Sequence, residues 1–389
     1  MSPSPHLLGT LALRLGAAAS EALLAVAVRG VLRPLPAPAA PSVPPAGGDR
    51  LDALWRALAA LPPPARRESA FQSTARVVKR DVWRKQADQV PGRAGRGATP
   101  AGWEDLAGVA TEPGRPPLHG LLRPPRDDGR VAIVVHGLYD SPRSRYVRVA
   151  GEWLARQGLG VLQPDMRWHG RLYSREWLPT LGLEEAGDLA AWARWLRGRW
   201  GARPVTLVGF SLGALAVVQA LARPDAGDLF AGGVVFSPPG ALPGVLAALD
   251  APPRWRTGLE AVVPLTFQGL LAVRMARLGI DGGARGRFRG FLDWLAPRVG
   301  EGGTADELLA RADPLPALAR CRRPLVLVSS LDDPVLPAPI PAGRGGAVPA
   351  APTVLSLHTG SGGHIGHFGT HPEWCAELLS RVLHLAPGA

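Results

Sequence analysis

Six short runs of apolar and β-branched residues recur along the chain from residue 130 onward. They read RVAIVVHG, GVLQPDM, PVTLVGFS, GGVVFSP, PLVLVSS and TVLSLH, and turn residues end several of them. Amphipathic stretches separate several of the runs, at residues 144–157, 183–199 and 212–222. Continuous apolar strands that alternate with helices are typical of a parallel sheet covered on both faces. The pattern therefore predicts an α/β fold with a doubly wound, mostly parallel sheet, whose ligand site lies beyond the carboxyl ends of the strands.

The beginning of the chain is apolar but carries charges. Residues 6–32 are mostly hydrophobic, and Arg14, Glu21 and Arg29 interrupt them. Charges inside a transmembrane helix are costly, and no positive residue precedes the apolar run as it does in a secretory signal. We therefore expect an amphipathic helix that either packs on the body of the protein or lies on a membrane surface.

Changes in composition divide the chain into segments. Residues 1–49 hold the apolar helix and a spacer rich in proline and alanine, which cannot join a helix or the interior of a sheet. Residues 50–117 form a poorly defined extension with one helical pattern, RLDALWRALAAL. Residues 118–238 and 318–389 carry the α/β pattern. Between these two parts, residues 239–317 form an insertion rich in Leu, Trp, Phe and Arg, which we expect to be helical.

The formal net charge of +12 comes almost entirely from arginine, since the 389 residues include only two lysines, Lys79 and Lys85. The arginines are scattered and form no basic run interleaved with aromatic residues, so we expect no nucleic-acid partner. The two cysteines, Cys321 and Cys375, make neither a disulfide framework nor a metal-type pair. A reducing compartment is compatible with this cysteine content. We expect a cytoplasmic location, because the N-terminal apolar segment carries charges and lacks a cleavage signature, with membrane-peripheral attachment through the N-terminal helix as the alternative.

A single serine stands between two glycines at the end of the third run. The order is an apolar strand, then Gly209-Phe210-Ser211-Leu212-Gly213, then a helix. This order matches the G-x-S-x-G nucleophile elbow, a tight turn that holds the serine hydroxyl clear of the sheet at a helix N-terminus. Glycines two residues either side of the serine avoid collisions with the strand and the helix. The alternative is an ordinary connection in which Ser211 only caps the helix.

A nucleophilic serine needs a base and an acid that orients the base. In the elbow fold the chain order is serine, acid, histidine. Asp332 and Asp333 follow the run PLVLVSS, and His364 follows the last run. We predict Asp333 as the acid, because its position in D-P-V-L-P places its carboxylate at the end of the strand, and His364 as the base. The alternatives are turn chemistry for the aspartates and a solvated loop histidine.

A zinc site is the rival interpretation of the histidines. His364, His367 and His371 have the spacing H-x-x-H-x-x-x-H, which would place three imidazoles along one helix face. Two glycines directly before His364 indicate that it lies in a loop, and no H-E-x-x-H motif occurs. We therefore predict no metal and no cofactor.

Two backbone amides are candidate donors to an oxyanion. One is the amide of Leu212, directly after the serine, and the other is the amide of Leu138, in the sequence HGLYDS after the first run. Gly137 lets the chain turn sharply there. We expect His136 to brace this loop rather than take part in the reaction.

These motifs together resemble the α/β-hydrolase superfamily. The resemblance spans roughly residues 130–385 and rests on H-G-L after a strand, G-F-S-L-G, D-D-P-V-L-P and G-G-H-I-G. Within the superfamily, HGLYDSPRSRYV is similar to the H-G-L-x-x-S-x-x-S-x-Y element of the YheT-like (abhydrolase 4) esterase group. Two departures are that Ala214 and Leu215 stand where that group has Gly-Asn, and that the first hundred residues show no match.

The resemblance implies a serine hydrolase with Ser211 as nucleophile, Asp333 as acid, His364 as base and the amides of Leu138 and Leu212 in the oxyanion hole. It also implies that the insertion covers the active site as a lid and binds an apolar acyl group, although simple core packing is the alternative. The expected substrate is a small-molecule or lipid-like carboxylic ester or thioester. The rival functions are an acyltransferase or peripheral-membrane lipase, and a non-catalytic binding protein on the same fold.

Overall fold

The structure is a computed structural model, which describes the chain in nine stretches: residues 49–64, 99–113, 116–126, 129–201, 203–250, 262–280, 287–336, 339–340 and 353–385. The amphipathic helix predicted within residues 6–32 and the spacer after it lie outside the described residues.

A sheet of eight strands forms the centre of this part of the chain. The strands are β1 (Glu104–Val109), β2 (Leu118–Arg123), β3 (Val131–Val135), β4 (Gly160–Pro164), β5 (Val205–Phe210), β6 (Phe230–Phe236), β7 (Leu325–Ser330) and β8 (Val354–Thr359). Their spatial order is β1-β2-β4-β3-β5-β6-β7-β8. Only β2 runs against the others, because its pairings with β1 and β4 are both antiparallel and the remaining pairings are parallel. The predicted α/β fold with a mostly parallel sheet is confirmed.

Both faces of the sheet are buried, which explains the unbroken apolar runs. The pairings bring Val134 opposite Val208, and Val208 opposite Val234. These valines face one apolar cluster, whereas their neighbours Ile133 and Leu207 face another on the opposite side. Since side chains alternate between the faces of a strand, two covered faces favour apolar residues at successive positions.

The helices lie on the two faces and in the insertion. They are α1 (Asp49–Ala59), α2 (Arg145–Arg156), α3 (Leu183–Trp200), α4 (Leu212–Leu221), α5 (Ala226–Leu229), α6 (Leu242–Asp250), α7 (Val262–Arg277), α8 (Phe288–Leu295), α9 (Ala305–Ala312), α10 (Pro314–Arg320), α11 (His367–Thr370) and α12 (Pro372–Leu385). Helices α1, α2 and α12 contribute to the cluster beneath Val134. Helices α3 and α4 cover the opposite face, together with side chains from α6 to α10.

The extension assigned to residues 50–117 contributes to the core. Its helix α1 packs on α12 through Leu54 and Leu58, and its strand β1 forms one edge of the sheet. The sheet therefore begins before residue 118, where sequence reasoning began the core. Strand β1 carries no apolar run because it lies at the edge of the sheet, where Leu106 is the only one of its six residues that is buried.

Helices α6 to α10 lie between β6 and β7, where the insertion was predicted. Their side chains contact the loops that leave the carboxyl ends of β3 and β4. The Phe267 ring lies 5.7 Å from the Tyr139 ring, and Phe291 stacks on Trp168 at 4.8 Å. Helices α7 and α8 of the insertion thus pack against the loops at the carboxyl edge of the sheet.

Candidate active site

Ser211 lies in a strained turn between β5 and α4. Its backbone angles are φ +52° and ψ −116°, a left-handed region that residues with a side chain rarely adopt. The amide of Ser211 donates a hydrogen bond to the carbonyl of Phe236, at the end of the neighbouring strand β6. The turn therefore fixes the serine directly beyond the carboxyl edge of the sheet, as the elbow motif predicts.

The two glycines of the motif are required by close approaches. A Cβ on Gly213 would lie 2.4 Å from the carbonyl oxygen of His136, and one on Gly209 would lie 2.7 Å from the carbonyl oxygen of Gly213. Both distances are far inside van der Waals contact with backbone atoms. The strand, the helix and the loop after β3 can meet at this point only because both positions lack a side chain.

A chain of hydrogen bonds joins the hydroxyl of Ser211 to a buried imidazole and a carboxylate. Nε2 of His364 lies 2.9 Å from Oγ of Ser211, and Nδ1 of His364 lies 2.8 Å from Oδ2 of Asp333. The side chains of His364 and Asp333 are 2 % and 5 % exposed. An ionised carboxylate can only accept, so Nδ1 carries the proton and Nε2 is left to accept from the serine hydroxyl. This is the arrangement in which a histidine can act as general base.

The two aspartates after β7 have different partners. Asp333 uses Oδ1 to accept from the amides of Val335 and Leu336, which fixes its carboxylate while Oδ2 faces His364. Asp332 accepts from the amide of Gly363, in the loop that carries His364. The structure thus brings Asp333 into line with His364 and Ser211, and places Asp332 as a support of the histidine loop.

The three histidines of the last loop do not face a common point. His364 lies before helix α11 and bonds to Ser211 and Asp333, whereas Nε2 of His367 lies 2.9 Å from the Thr359 hydroxyl, with which it forms a hydrogen bond. The rings of His367 and His371 lie 6.3 Å apart. Among the described residues, no group of three or more His, Cys, Asp or Glu side chains could hold a metal ion.

The loop after β3 runs directly beside Ser211. A Cβ on Gly137 would lie 3.2 Å from Cβ of Ser211, so the loop passes the nucleophile closely at Gly137, and Leu138 is the next residue. The hydroxyl of Tyr146 accepts from the amide of Gly137 at 2.8 Å and donates to Oδ2 of Asp140 at 2.8 Å. Burial and the neighbouring Asp140 carboxylate raise the pKa of Tyr146 well above its ordinary value, which keeps this hydroxyl protonated.

His136 lies under the same loop. Its Nδ1 donates to the carbonyl of Gly137 at 2.8 Å, and its Nε2 accepts from the amide of Met166, in the loop after β4, at 3.3 Å. Both ring nitrogens are engaged with backbone groups, which agrees with a bracing role. Two residues of these loops were not predicted from the sequence: Asp140, which accepts from the Tyr146 hydroxyl, and His169, which accepts from the amide of Tyr139. Each follows the carboxyl end of a strand, which is the signal that could have identified it.

Comparison with known proteins identifies a family. The profile of the family described as "Alpha/beta hydrolase family" matches residues 132–378, well over half of the chain. No curated protein matches the chain.

Helices long and apolar enough to cross a membrane do not occur in the described stretches.

Solved structures also align with this fold. The esterase Pf2001 of Pyrococcus furiosus is 19 % identical, with 73 % of this chain and 91 % of that chain covered and a TM-score of 0.49. Est1E of Butyrivibrio proteoclasticus, solved with ferulic acid bound, is 16 % identical, with 69 % and 95 % covered and a TM-score of 0.43. A puromycin-hydrolysing peptidase of Mycobacterium tuberculosis is 19 % identical, with 73 % and 38 % covered and a TM-score of 0.45.

The family assignment rests on the profile match, and the matched range contains the serine turn, both aspartates and the histidine loop. The similarity to the YheT-like group stays a prediction, since no comparison identifies that subgroup. The chain belongs to the alpha/beta hydrolase family.

Proposed function

We propose that this protein is a serine hydrolase that cleaves a carboxylic ester or thioester with an apolar acyl group. The observation that carries the proposal is the continuous line of bonds from Ser211 through His364 to Asp333, with the serine held in a strained turn at a helix N-terminus. A serine that only caps a helix needs neither a buried imidazole nor a carboxylate behind it.

The reaction begins when Nε2 of His364 takes the hydroxyl proton of Ser211 and Oγ attacks the carbonyl carbon of the substrate. The carbonyl oxygen becomes an oxyanion, which the amides of Leu138 and Leu212 bind. Each such donor stabilises the transition state by about 3–4 kcal/mol. Collapse of the tetrahedral intermediate breaks the bond to the leaving alkoxide or thiolate, which takes the proton from His364.

The second half of the reaction releases the acid. Water gives a proton to His364 as its oxygen attacks the acyl carbon, and a second tetrahedral intermediate forms at the same oxyanion site. Its collapse breaks the bond to Oγ, and Ser211 regains its proton from His364. Asp333 remains ionised throughout and stabilises the imidazolium that forms twice in each cycle.

The insertion supports an apolar acyl group. Leu212 belongs to the same contiguous apolar cluster as Leu242, Val245 and Phe267 of the insertion. We propose that an acyl chain that leaves the carbonyl beside Leu212 extends toward these hydrophobic side chains of the insertion, a favourable environment for aliphatic groups. We propose that helices α6 and α7 form a lid over the acyl group.

Labelling with a fluorophosphonate probe, which forms a covalent bond only with an activated serine, tests the proposal. We expect the full chain to be labelled and S211A to be unlabelled, while S356A, a buried strand serine that bonds to His358, is labelled like the wild type. A series of p-nitrophenyl esters from short to long acyl chains then defines the preferred substrate. S211A should lower kcat/KM by about 10⁴-fold or more.

Each rival function gives a different result. An unlabelled but folded wild-type protein would indicate a non-catalytic binding protein. A labelled protein that forms a new ester with an added alcohol faster than it releases acid would indicate an acyltransferase. Loss of binding to lipid vesicles after deletion of residues 1–48 would indicate a membrane-peripheral lipase.

A further inference from the structure

Tyr139, the residue after Leu138, has an unusual backbone conformation. Its φ is +62°, in the left-handed region that disfavours a residue with a large side chain. Such a conformation persists only when the surroundings hold it. The amide of Leu138, which the proposed reaction uses, lies one peptide before the amide of Tyr139, so groups that hold Tyr139 restrict the backbone directly beside the Leu138 amide.

The amide of Tyr139 is held by His169. Its N–H donates to Nε2 of His169 at 2.9 Å, and Nδ1 of His169 donates to the carbonyl of Arg167 at 2.7 Å. Both bonds together require a neutral imidazole with its proton on Nδ1. Burial, with smaller contributions from the charge of Arg274 and from His136, lowers the pKa of His169 well below its ordinary value, so the ring is neutral at physiological pH.

The ring of Tyr139 is held by Arg274, which projects from helix α7 of the insertion. The guanidinium is fully buried and lies over three aromatic rings, with its central carbon 5.1 Å from the ring centre of Tyr139, 5.2 Å from that of Trp168 and 4.8 Å from that of Tyr173. It also donates to the backbone carbonyl of Trp168. Burial lowers the pKa of Arg274 to about 10, so it stays charged at neutral pH and makes full cation–π contacts.

We propose that His169 and Arg274 are positioning residues that hold Tyr139 from two sides and thereby aim the amide of Leu138 at the oxyanion. The inference rests on the proposed function, in which that amide is a donor. It joins the insertion to the reaction, because Arg274 belongs to α7 whereas Tyr139 belongs to the loop after β3. An amide that is turned away from the oxyanion weakens binding of the transition state more than binding of the substrate, so kcat should fall while KM changes little.

Two pairs of variants and one control separate positioning from simple packing. H169L removes the acceptor for the Tyr139 amide, whereas H169Q can place an amide oxygen near the position of Nε2. R274M keeps the length of the side chain without its charge, whereas R274K keeps the charge without the planar guanidinium. The control is R277M, the same chemical change three residues further along α7, at a half-buried arginine whose charge acts on Tyr173 rather than on Tyr139.

The measurements are kcat and KM for a p-nitrophenyl ester, and the inhibition constant of an alkyl trifluoromethyl ketone. Ser211 adds to the ketone carbonyl and creates a bound oxyanion, so the affinity of the ketone reports on the oxyanion hole. We expect H169L and R274M to lower kcat by about 10- to 100-fold with KM within about threefold, and to weaken the ketone by a similar factor to the loss in kcat. H169Q and R274K should fall between these variants and the wild type, and R277M should match the wild type within about twofold.

Hydrogen–deuterium exchange of the peptide that covers residues 137–144 provides a readout that does not depend on turnover. Faster exchange there is expected in H169L and R274M than in R277M. If an apolar variant does not fold, as thermal unfolding would reveal, the comparison of H169Q and R274K with R277M decides in its place. If the wild type is active, and H169L and R274M match R277M in kcat, ketone affinity and exchange, the inference is overturned but the proposed function is not. A wild type that neither turns over esters nor reacts with the fluorophosphonate overturns the proposed function.

Discussion

Oγ of Ser211 lies 2.9 Å from Nε2 of His364, although 153 residues separate the two along the chain. The contact exists because β5 and β8 are parallel strands of one sheet and end at the same edge. The serine turn comes directly after β5, and the histidine loop comes directly after β8. Both side chains therefore reach the same point beyond the sheet.

The two neighbouring aspartates should differ sharply in their effect on activity. In D333N the side-chain amide can donate to Nδ1 of His364, which favours the tautomer with its proton on Nε2 and blocks proton transfer from Ser211. We expect kcat to fall by about 10⁴-fold. In D332N the oxygen that accepts from the amide of Gly363 remains, so a loss below about tenfold is expected. Steady-state kinetics on p-nitrophenyl esters measures both, and equal losses would remove Asp333 from its proposed role.

The backbone strain at Ser211 should be measurable as stability. S211A and S211G both lose the hydroxyl and should both be inactive, but only glycine adopts φ +52° without strain. We expect S211G to have the higher melting temperature, by an amount that corresponds to about 1 kcal/mol in the free energy of unfolding. Calorimetry of the two variants checks this, and a lower melting temperature for S211G would show that the turn is not strained in solution.

A methyl group at Gly213 should disrupt the site. The new Cβ would lie 2.4 Å from the carbonyl oxygen of His136 and 2.7 Å from that of Val135, so the loop after β3 must move. We expect G213A to lower the free energy of unfolding by about 1–3 kcal/mol and to abolish ester turnover. The matched control is G198A in helix α3, where nothing lies within 4 Å of the new Cβ. Chemical denaturation should find G198A unchanged or stabilised by up to about 1 kcal/mol, and equal behaviour of the two variants would contradict the packing around the turn.

The free energy of unfolding should decrease as the pH is lowered below 6.5, because His367 is buried in its neutral form. Burial, with a smaller contribution from His371, lowers the pKa of His367 from 6.5 to about 3 in the folded protein. Between pH 6.5 and about pH 3, His367 binds a proton in the unfolded chain but not in the folded protein. Its contribution to the free energy of unfolding is therefore complete above pH 6.5 and is lost as the pH falls. The loss is at most about 1.4 kcal/mol per pH unit.

The variant H367Q isolates this contribution. Its side-chain amide can still form a hydrogen bond with the Thr359 hydroxyl but does not titrate. Unfolding free energies at pH 7, 6 and 5 should therefore fall less steeply for H367Q than for the wild type. Parallel pH profiles of the two proteins would show that His367 titrates normally when folded.

Local pattern was sufficient for the centre of the fold. The six apolar runs predicted β3 to β8, because strands that are buried on both faces are mostly apolar at successive positions. Helices α2, α3 and α4 were predicted within about two residues of their bounds. Strand β1 and the antiparallel strand β2 were not predicted. Strand β1 has exposed polar positions at the edge of the sheet, Gly120 breaks the apolar run of β2, and the assignment of both strands depends on pairing with distant segments.

Part of the candidate site could also be predicted from local sequence, and part depended on the tertiary structure. Ser211, its two glycines and the later order of aspartate and histidine can be read from the sequence, because the turn imposes local steric requirements and the loops after parallel strands lie at one edge of the sheet. Asp333 was predicted as the partner of His364 from its position in D-P-V-L-P, but Asp332 lies in the same turn, and only the packed loops show which carboxylate faces the imidazole. The contact of the Arg274 guanidinium with the Tyr139 ring could not be predicted from the sequence either. The sequence around Arg274 does not indicate which aromatic rings surround its guanidinium, because those rings lie more than a hundred positions away along the chain. Their contact depends on the path of the whole chain.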